Sequence, residues 1–464
     1  MAELKPEVPP TNQNAALEVL DLSNRVSAVV SNLGSVPPSL RFVEPGKAIV
    51  NWRAEWWADS KTTNTWRQID AGLATDPGLR KSVREVLERA GFDTGFDYDK
   101  GFVDFHSPPL LQLKQLVEWQ SVSVAADLHA GRSTDARDQL LDALRLVERQ
   151  KSERLIISQL VRIACGSILW NSTWAALQSP GWTEEQLAPV QAAWQRLDFL
   201  TDMIAGCEME RAMTIEHYKQ LRASRAARAS FIAQTESGVE LLGAEFYTLP
   251  SRGFILRWLH VPLWRLVWLD QDALHALERW QSIIAGGRIA QRQSWTEARR
   301  SLEQGNELPE TVPLLSGSPL EHPPSHYDRW RFLVANEPFS IGGTMILRTA
   351  KADTQRNLAI AAIAIERYRL RHGGLPHRLD SLIPDFLAAA PRDYLNGEPL
   401  KYSKRENGTF ALYSVGENGK DDGGNPSQPP EKVSFRQIWD GLDAVWPSPA
   451  SVEEAQQAMI RGEK

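Results

Sequence analysis

The chain is poor in cysteine: Cys165 and Cys207 are the only two in 464 residues. Both lie in apolar, helix-patterned surroundings, which points to buried free thiols rather than a disulfide or metal ligands. No uncharged run reaches the ~18 residues of a membrane-spanning helix. The opening Met-Ala-Glu-Leu-Lys-Pro-Glu-Val-Pro-Pro has neither the basic nor the apolar region of a secretory signal. As it stands, the sequence is expected to be cytoplasmic or to have been cut from something longer. Acids and bases, 58 against 52, interleave without forming a basic stripe. Nucleic-acid binding therefore has no electrostatic footprint. Also missing are the Gly-x-Ser-x-Gly elbow, a phosphate-binding glycine loop, a dinucleotide fingerprint, His-Glu-x-x-His and Cys-x-x-Cys. Catalytic groups can assemble from distant positions, so these absences remove grounds for naming an enzyme without excluding one.

What is present describes an ordinary globular protein, 42% hydrophobic and 24% charged, with a length that suggests two to four domains. Tryptophan is abundant, at 17 residues. Exposed indoles can stack on sugars, but Trp170 and Trp174, or Trp264 and Trp268, recur at core-like helical spacing. Packing is therefore the expectation for them.

Periodicity predicts a helix over Ala15–Ser31, ended by Gly34 and the Pro37-Pro38 break. Trp52 and Trp56 stand four apart, as on a helix face. Asp76-Pro77 reads as the start of the next helix and Gly91 as its end. Asp93, Asp97, Asp99 and Asp104 alternate with Phe92, Phe96, Phe102 and Phe105, which suits a surface loop anchored by aromatics better than a cation loop. From Leu110 to about Ser224 the pattern is nearly all helix, in segments near 110–130, 134–150, 152–178 and 183–224. Thr183 and Gln186 form a capping-box pair. Leu141, Leu144, Leu155, Leu160 and Ile163 recur three to five apart across short connections, predicting antiparallel hairpins. On the last helix Glu208, Glu210, Glu216 and His217 read as a solvated face.

Residues 254–269 are the most apolar stretch. Its Trp and Arg content suits a membrane interface, but a buried helix kinked at Pro262 is the expectation. Leu308–His326 is proline-rich and irregular, and the prolines between His322 and His326 preclude a helical metal-binding face. Thr349–Arg371 is a strong helix stopped by Gly373-Gly374. A short helix near 379–387 and a strand-rich tail with an Asn396-Gly397 turn follow. The predicted fold is mainly α: antiparallel helical hairpins or a bundle, with a small C-terminal α+β module. Its expected parts are an N-terminal arm and helical, aromatic region (1–105), a helical body (106–345) and the module (346–464).

One stretch looks like a site. Phe410-Ala-Leu-Tyr-Ser alternates as a half-buried strand and runs into a loop of Gly416, Glu417, Asn418, Gly419, Asp421, Asp422, Gly423 and Gly424. Glycines let carbonyls turn inward and carboxylates bring charge, as a hard cation such as calcium requires. An acidic hairpin turn is the alternative, since Asn-Gly is a common turn pair, and spacing alone favours it because the loop does not fit the EF-hand pattern.

The order of Glu366-Arg-Tyr-Arg-Leu, Gly373-Gly-Leu-Pro376, Pro391-Arg-Asp393, Gly397-Glu-Pro-Leu-Lys-Tyr402, Leu412-Tyr-Ser-Val-Gly416 and Asn418-Gly419 resembles the soluble part of the major pseudopilin of type II secretion systems. The resemblance covers about residues 349–446. It implies calcium held by backbone carbonyls and acidic side chains, with Asn418 in the place of the first loop Asp. Asp421 and Asp422 fall in the acidic segment that follows, and Asp440 or Asp443 stands for the late Asp before Trp446. In place of that family's membrane helix, this chain has its whole helical region ahead of Thr349.

That region, through Gly131-Arg-Ser-Thr-Asp-Ala136, Leu141-x-x-Leu144-Arg-Leu146 and Leu155–Ala164, resembles a large uncharacterised bacterial family that joins such helices to a pseudopilin-like tail, often behind an N-terminal anchor. The resemblance implies a cell-envelope protein, extracytoplasmic if an anchor has been removed, with membrane association only through that anchor. The expected function is a non-catalytic scaffold or interaction protein with a protein or envelope partner, no nucleic acid, and calcium on Asn418, Asp421, Asp422 and Asp443. The rival is a hydrolase or glycan-binding protein with a Trp-lined cleft.

Overall fold

The structure, a computed structural model, describes residues 2–33, 40–53, 56–58, 63–102, 108–241, 256–304, 331–335, 342–405, 408–429, 436–451, 453–455 and 457. The Pro37-Pro38 break, Asp104 and Phe105, and the Leu308–His326 connection with both its histidines lie outside the described residues.

The chain is mainly helical with a small sheet-containing C-terminal region. The helices are α1 (Ala16–Leu33), α2 (Trp66–Leu73), α3 (Leu79–Leu87), α4 (Leu110–His129), α5 (Ser133–Arg149), α6 (Ile156–Leu177), α7 (Glu184–Gln195), α8 (Phe199–Ala223) and α9 (Arg225–Leu241). They continue as α10 (Val261–Val267), α11 (Leu269–Arg292), α12 (Trp295–Gln304) and α13 (Gly342–His372). Helices α4, α5 and α6 pack on one another across connections of a few residues, the geometry of antiparallel hairpins. The 31-residue α13 lies at the centre, against α6, α7, α8, α11 and α12. Its middle, Leu358–Ile365, is buried all round, which is why the sequence there shows no polar face.

Two short strands, β1 (Leu40–Glu44) and β2 (Lys47–Val50), pair antiparallel, and β2 pairs in parallel with β8 (Ser448–Pro449). β3 (Trp56–Ala58) and β4 (Thr63–Thr65) form a hairpin. In the C-terminal sheet β6 (Phe410–Ser414) lies between β5 (Lys401–Lys404) and β7 (Ala444–Val445), all antiparallel. One hydrophobic cluster runs from Ala15 to Trp446, so arm, body and module share a core. Among the described residues no helix is long and apolar enough to cross a membrane.

Several local expectations hold. Thr183 and Gln186 make the reciprocal capping box that opens α7. Cys165 and Cys207 are buried free thiols. Phe92 is buried and Phe96 and Phe102 pack around Tyr98, Met209 and Met213. Others are corrected. Trp52 lies in a 3-10 turn and Trp56 in a strand, so they share no helix face. α3 begins at Leu79 after Gly78, with no side-chain cap from Asp76, whose carboxylate instead pairs with Arg25. The predicted helix over 183–224 is two helices, because Asp198 caps a new start with its Oδ1 accepting from the Thr201 N–H at 2.9 Å. The carboxylate of Asp353, on α13, takes the next orphan donors, Phe199 and Leu200 N–H, at 3.2 and 2.7 Å. Leu144 is fully buried, whereas Leu160 and Ile163 are half-buried. The short helix expected near 379–387 is a 3-10 turn, Leu379–Leu382.

The glutamate-rich face of α8 is not simply solvated. His217 is buried, and the half-buried Glu210 accepts the Ile156 N–H at 2.7 Å, closing the N-terminus of α6. Burial pushes the Glu210 carboxyl up to about 7, against the smaller opposing effect of that hydrogen bond. The native state then holds a proton that the unfolded chain has already released at an ordinary carboxylate pKa. Stability therefore falls as pH rises from about 4.5 to about 7 and stays lowered above. Glu210→Gln keeps an acceptor and removes the titration. It is expected to add about 2–3 kcal/mol at pH 8 and almost nothing at pH 4. Urea unfolding of both proteins at the two pH values measures this, and curves separated by the same amount at both would refute it.

Candidate functional site

Asn418, Asp421, Asp422 and Asp443 lie in one place and are tied together by hydrogen bonds of the loop. Asp443 is buried, and its carboxylate is the hub of the loop. Oδ2 accepts N–H groups of Gly424 at 2.8 Å and Asn425 at 2.9 Å, and Oδ1 accepts that of Asp422 at 3.3 Å. Burial raises its pKa above the usual carboxylate range, opposed by these hydrogen bonds. Asp421 accepts the Tyr413 hydroxyl at 3.0 Å and the Gly423 N–H at 3.0 Å. The Asn418 amide donates to Asp422 at 2.8 Å. Gly416 makes the approach possible: its φ is +70°, and a Cβ there would stand 2.2 Å from the Leu442 carbonyl oxygen. These bonds use both oxygens of Asp443 and one oxygen each of Asp421 and Asp422. Among the described residues no group of three or more His, Cys, Asp or Glu side chains converges on a metal-sized site.

The strand leading to this loop departs from expectation. Ala411 through Ser414 are buried on both faces. One face of β6 looks toward α13, and Tyr413 on the other is covered by Gly424 and by Val445. The loop folds back over its own strand, held there by Asp443.

The same fold opens a cleft of about 820 Å³ between α6, α13, β1 and the module. Leu160, Ile163, Trp170 and Ile438 supply apolar walls. Among the described residues its charged side chains are Arg348, Lys351 and Arg436 against one carboxylate, Glu417. Lys351 pairs with Glu417 and sits 5.6 Å from the centre of the Trp439 ring. Arg348 and Arg436 are exposed. The two indoles of the cleft are wall rather than platform: Trp170 is buried and meets Trp446 edge-on at 5.0 Å, and Trp439 is buried too. No sequence signal marked this cleft, because its residues come from five separated stretches.

Of the carboxylates buried elsewhere, Asp127 and Asp142 pair with arginines, and others, with the half-buried Glu210, hold backbone. Asp272 accepts from Tyr218, Trp264, Val334 and Ala335. Asp393 accepts from Leu395 and Val415 N–H groups at 2.9 Å each. Asp353 and Glu210 close helix starts, as above. Their raised pKa values all have burial as the first cause and mark structural joints, a known origin of perturbed groups outside active sites.

Comparison of the chain with protein-family models, with curated proteins and with solved structures gives no match.

Proposed function

We propose that the chain is a non-catalytic interaction protein whose cleft receives an acidic segment of a protein partner. The observation that carries this reading is the cleft itself: apolar walls for a few side chains and, among the described residues, three cations against one carboxylate at its surface. Such a surface attracts and orients an acidic, partly apolar peptide and rejects a basic one. The carboxylates with raised pKa lie in structural joints, and the cleft's own Glu417 is paired with Lys351. An envelope setting and a pseudopilin-like module are part of the proposal through the resemblance of residues 349–446, supported by a long helix carrying a three-stranded sheet. Calcium on Asn418, Asp421, Asp422 and Asp443 belongs to the proposal through the same resemblance, and thermal unfolding with calcium and with chelator tests it.

The test is panning of a displayed random-peptide library against the intact protein and against the Arg348→Glu, Lys351→Glu double variant. Acidic-apolar peptides are expected to be enriched on the first and to bind the second at least about tenfold more weakly, two charge reversals at one site. No enrichment, or enrichment indifferent to the two substitutions, sinks the reading. Binding of glycans that depends on Trp439 would transfer the cleft to the sugar-binding alternative.

A further inference from the structure

The apolar stretch expected to be a buried helix is only half buried. It is a π-turn over Leu256–His260 that runs into α10, with Pro262 at the start of the second helix. Val261 and Trp264 face inward. The Trp264 indole stacks on Phe231 and donates its N–H to Asp272 at 2.8 Å, so the helix cannot roll. The other side is apolar as well, and it faces water: Trp258 is 63% exposed, Leu259 61%, Leu263 41%, Leu266 79% and Val267 53%. Leu263, Leu266 and Val267 stand three and four apart, on one helix face. Contiguous large apolar side chains at a fixed surface mark a contact with something other than water.

The rim of this patch identifies the contact. Arg265 and Arg228 both donate to the Arg222 carbonyl at the end of α8, at 3.2 Å each, which gathers three arginines beside the patch. Burial, with the Arg265 and Arg225 guanidiniums beside it, lowers the Arg228 pKa. Residues 222–230 and 257–267 contain Arg222, Arg225, Arg228, Arg257 and Arg265 and no acid. Asp270, the nearest carboxylate in sequence, pairs with Arg222. A tryptophan and leucines flanked by arginines, on an element too short to span, are the composition of an interfacial membrane contact. The surplus positive charge selects anionic headgroups.

We infer that the face formed by Trp258, Leu259, Leu263, Leu266 and Val267 lies on an anionic lipid surface, with the arginines at the α8–α9 junction and Arg265 against the headgroups. This is a contact made by the folded body and independent of any anchor. It does not rest on the cleft reading.

Cosedimentation of the full chain with phosphatidylcholine vesicles, with and without admixed phosphatidylglycerol, tests it. The protein is expected in the pellet only with the anionic vesicles, and less so as salt rises. Leu263→Glu with Leu266→Glu is expected to lower the partition coefficient more than about tenfold. Arg225→Ala with Arg265→Ala is expected to lower it about fivefold per arginine. All four side chains are exposed, and unchanged thermal melting establishes that the variants fold. Wild-type protein that stays in the supernatant, or binding that neither variant changes, overturns the inference. A concentration-dependent dimer abolished by the leucine substitutions, without vesicle binding, also overturns it and gives the face to a second copy of the chain.

Discussion

Replacing Asp272 by alanine is expected to cost about 4–5 kcal/mol of stability, at the top of the range for a single substitution. The side chain is fully buried, and its two oxygens accept four hydrogen bonds. Oδ1 takes the Tyr218 hydroxyl at 3.0 Å and the Ala335 N–H at 2.9 Å, and Oδ2 takes the Trp264 indole N–H at 2.8 Å and the Val334 N–H at 2.9 Å. Alanine leaves a cavity and four donors without their acceptor, two of them on backbone that cannot turn to water. Removing one donor is milder: Tyr218→Phe should cost about 1.5–3 kcal/mol, the usual worth of a hydrogen bond to a charged acceptor. Denaturant unfolding of the single and double variants measures both, and the pair should be strongly non-additive because one carboxylate serves both. A loss under about 1 kcal/mol for Asp272→Ala would show that the network is not holding α8, α10 and α11 together. It would also remove the reason why the exposed face of α10 points where it does.

Trp174→Ala is expected to cost a similar 3–5 kcal/mol and to do so across the whole chain. Trp174 is fully buried on α6 and donates its indole N–H to the Pro447 carbonyl at 2.8 Å, while Trp170 one turn earlier meets Trp446. These contacts bind the helical body to the C-terminal segment, and Trp52 does the same for the N-terminal strands by donating to Ala175 at 2.9 Å. Because the three regions share one hydrophobic cluster, wild type and variant should each unfold in a single transition seen identically by far-UV dichroism and tryptophan fluorescence. Trp174→Phe, which keeps most of the volume and loses the hydrogen bond, should cost about 1–2 kcal/mol. Two separated transitions in wild type would mean that the module folds on its own, and the substitution would then move only one of them.

Helices α4 to α8 were legible because their cues are local. Apolar residues repeat every three to four positions, Thr183 and Gln186 lie within one turn, and Asp198 stands just before an apolar run, although the break it makes was read through. The Trp cores were legible for Trp170 and Trp264, and Trp258 was not distinguished from them, since spacing within a helix cannot say which of two apolar faces meets the protein. The acidic loop was found as a place. The hydrogen-bond partners of Asp421, Asp422 and Asp443 were not, because they depend on where Tyr413 and the backbone of residues 422–425 come to rest.

Composition and local pattern, then, were enough for the helices from Leu110 to Ala223 apart from the break at Asp198, for the buried thiols and for the aromatic anchors near Tyr98, because each rests on neighbours a few residues apart. Helices α9, α11 and α12 drew no expectation, and α13 starts at Gly342 rather than Thr349. The cleft between Leu160, Lys351 and Ile438 and the joints made by Asp272, Asp353 and Asp443 arise only when segments far apart in the chain pack together. So does the outward turn of Leu263 and Leu266. At the joints and at Trp264 a buried carboxylate or indole finds distant hydrogen-bond partners that offset its loss of water, and the spacing of residues along a chain carries no record of which distant groups those are.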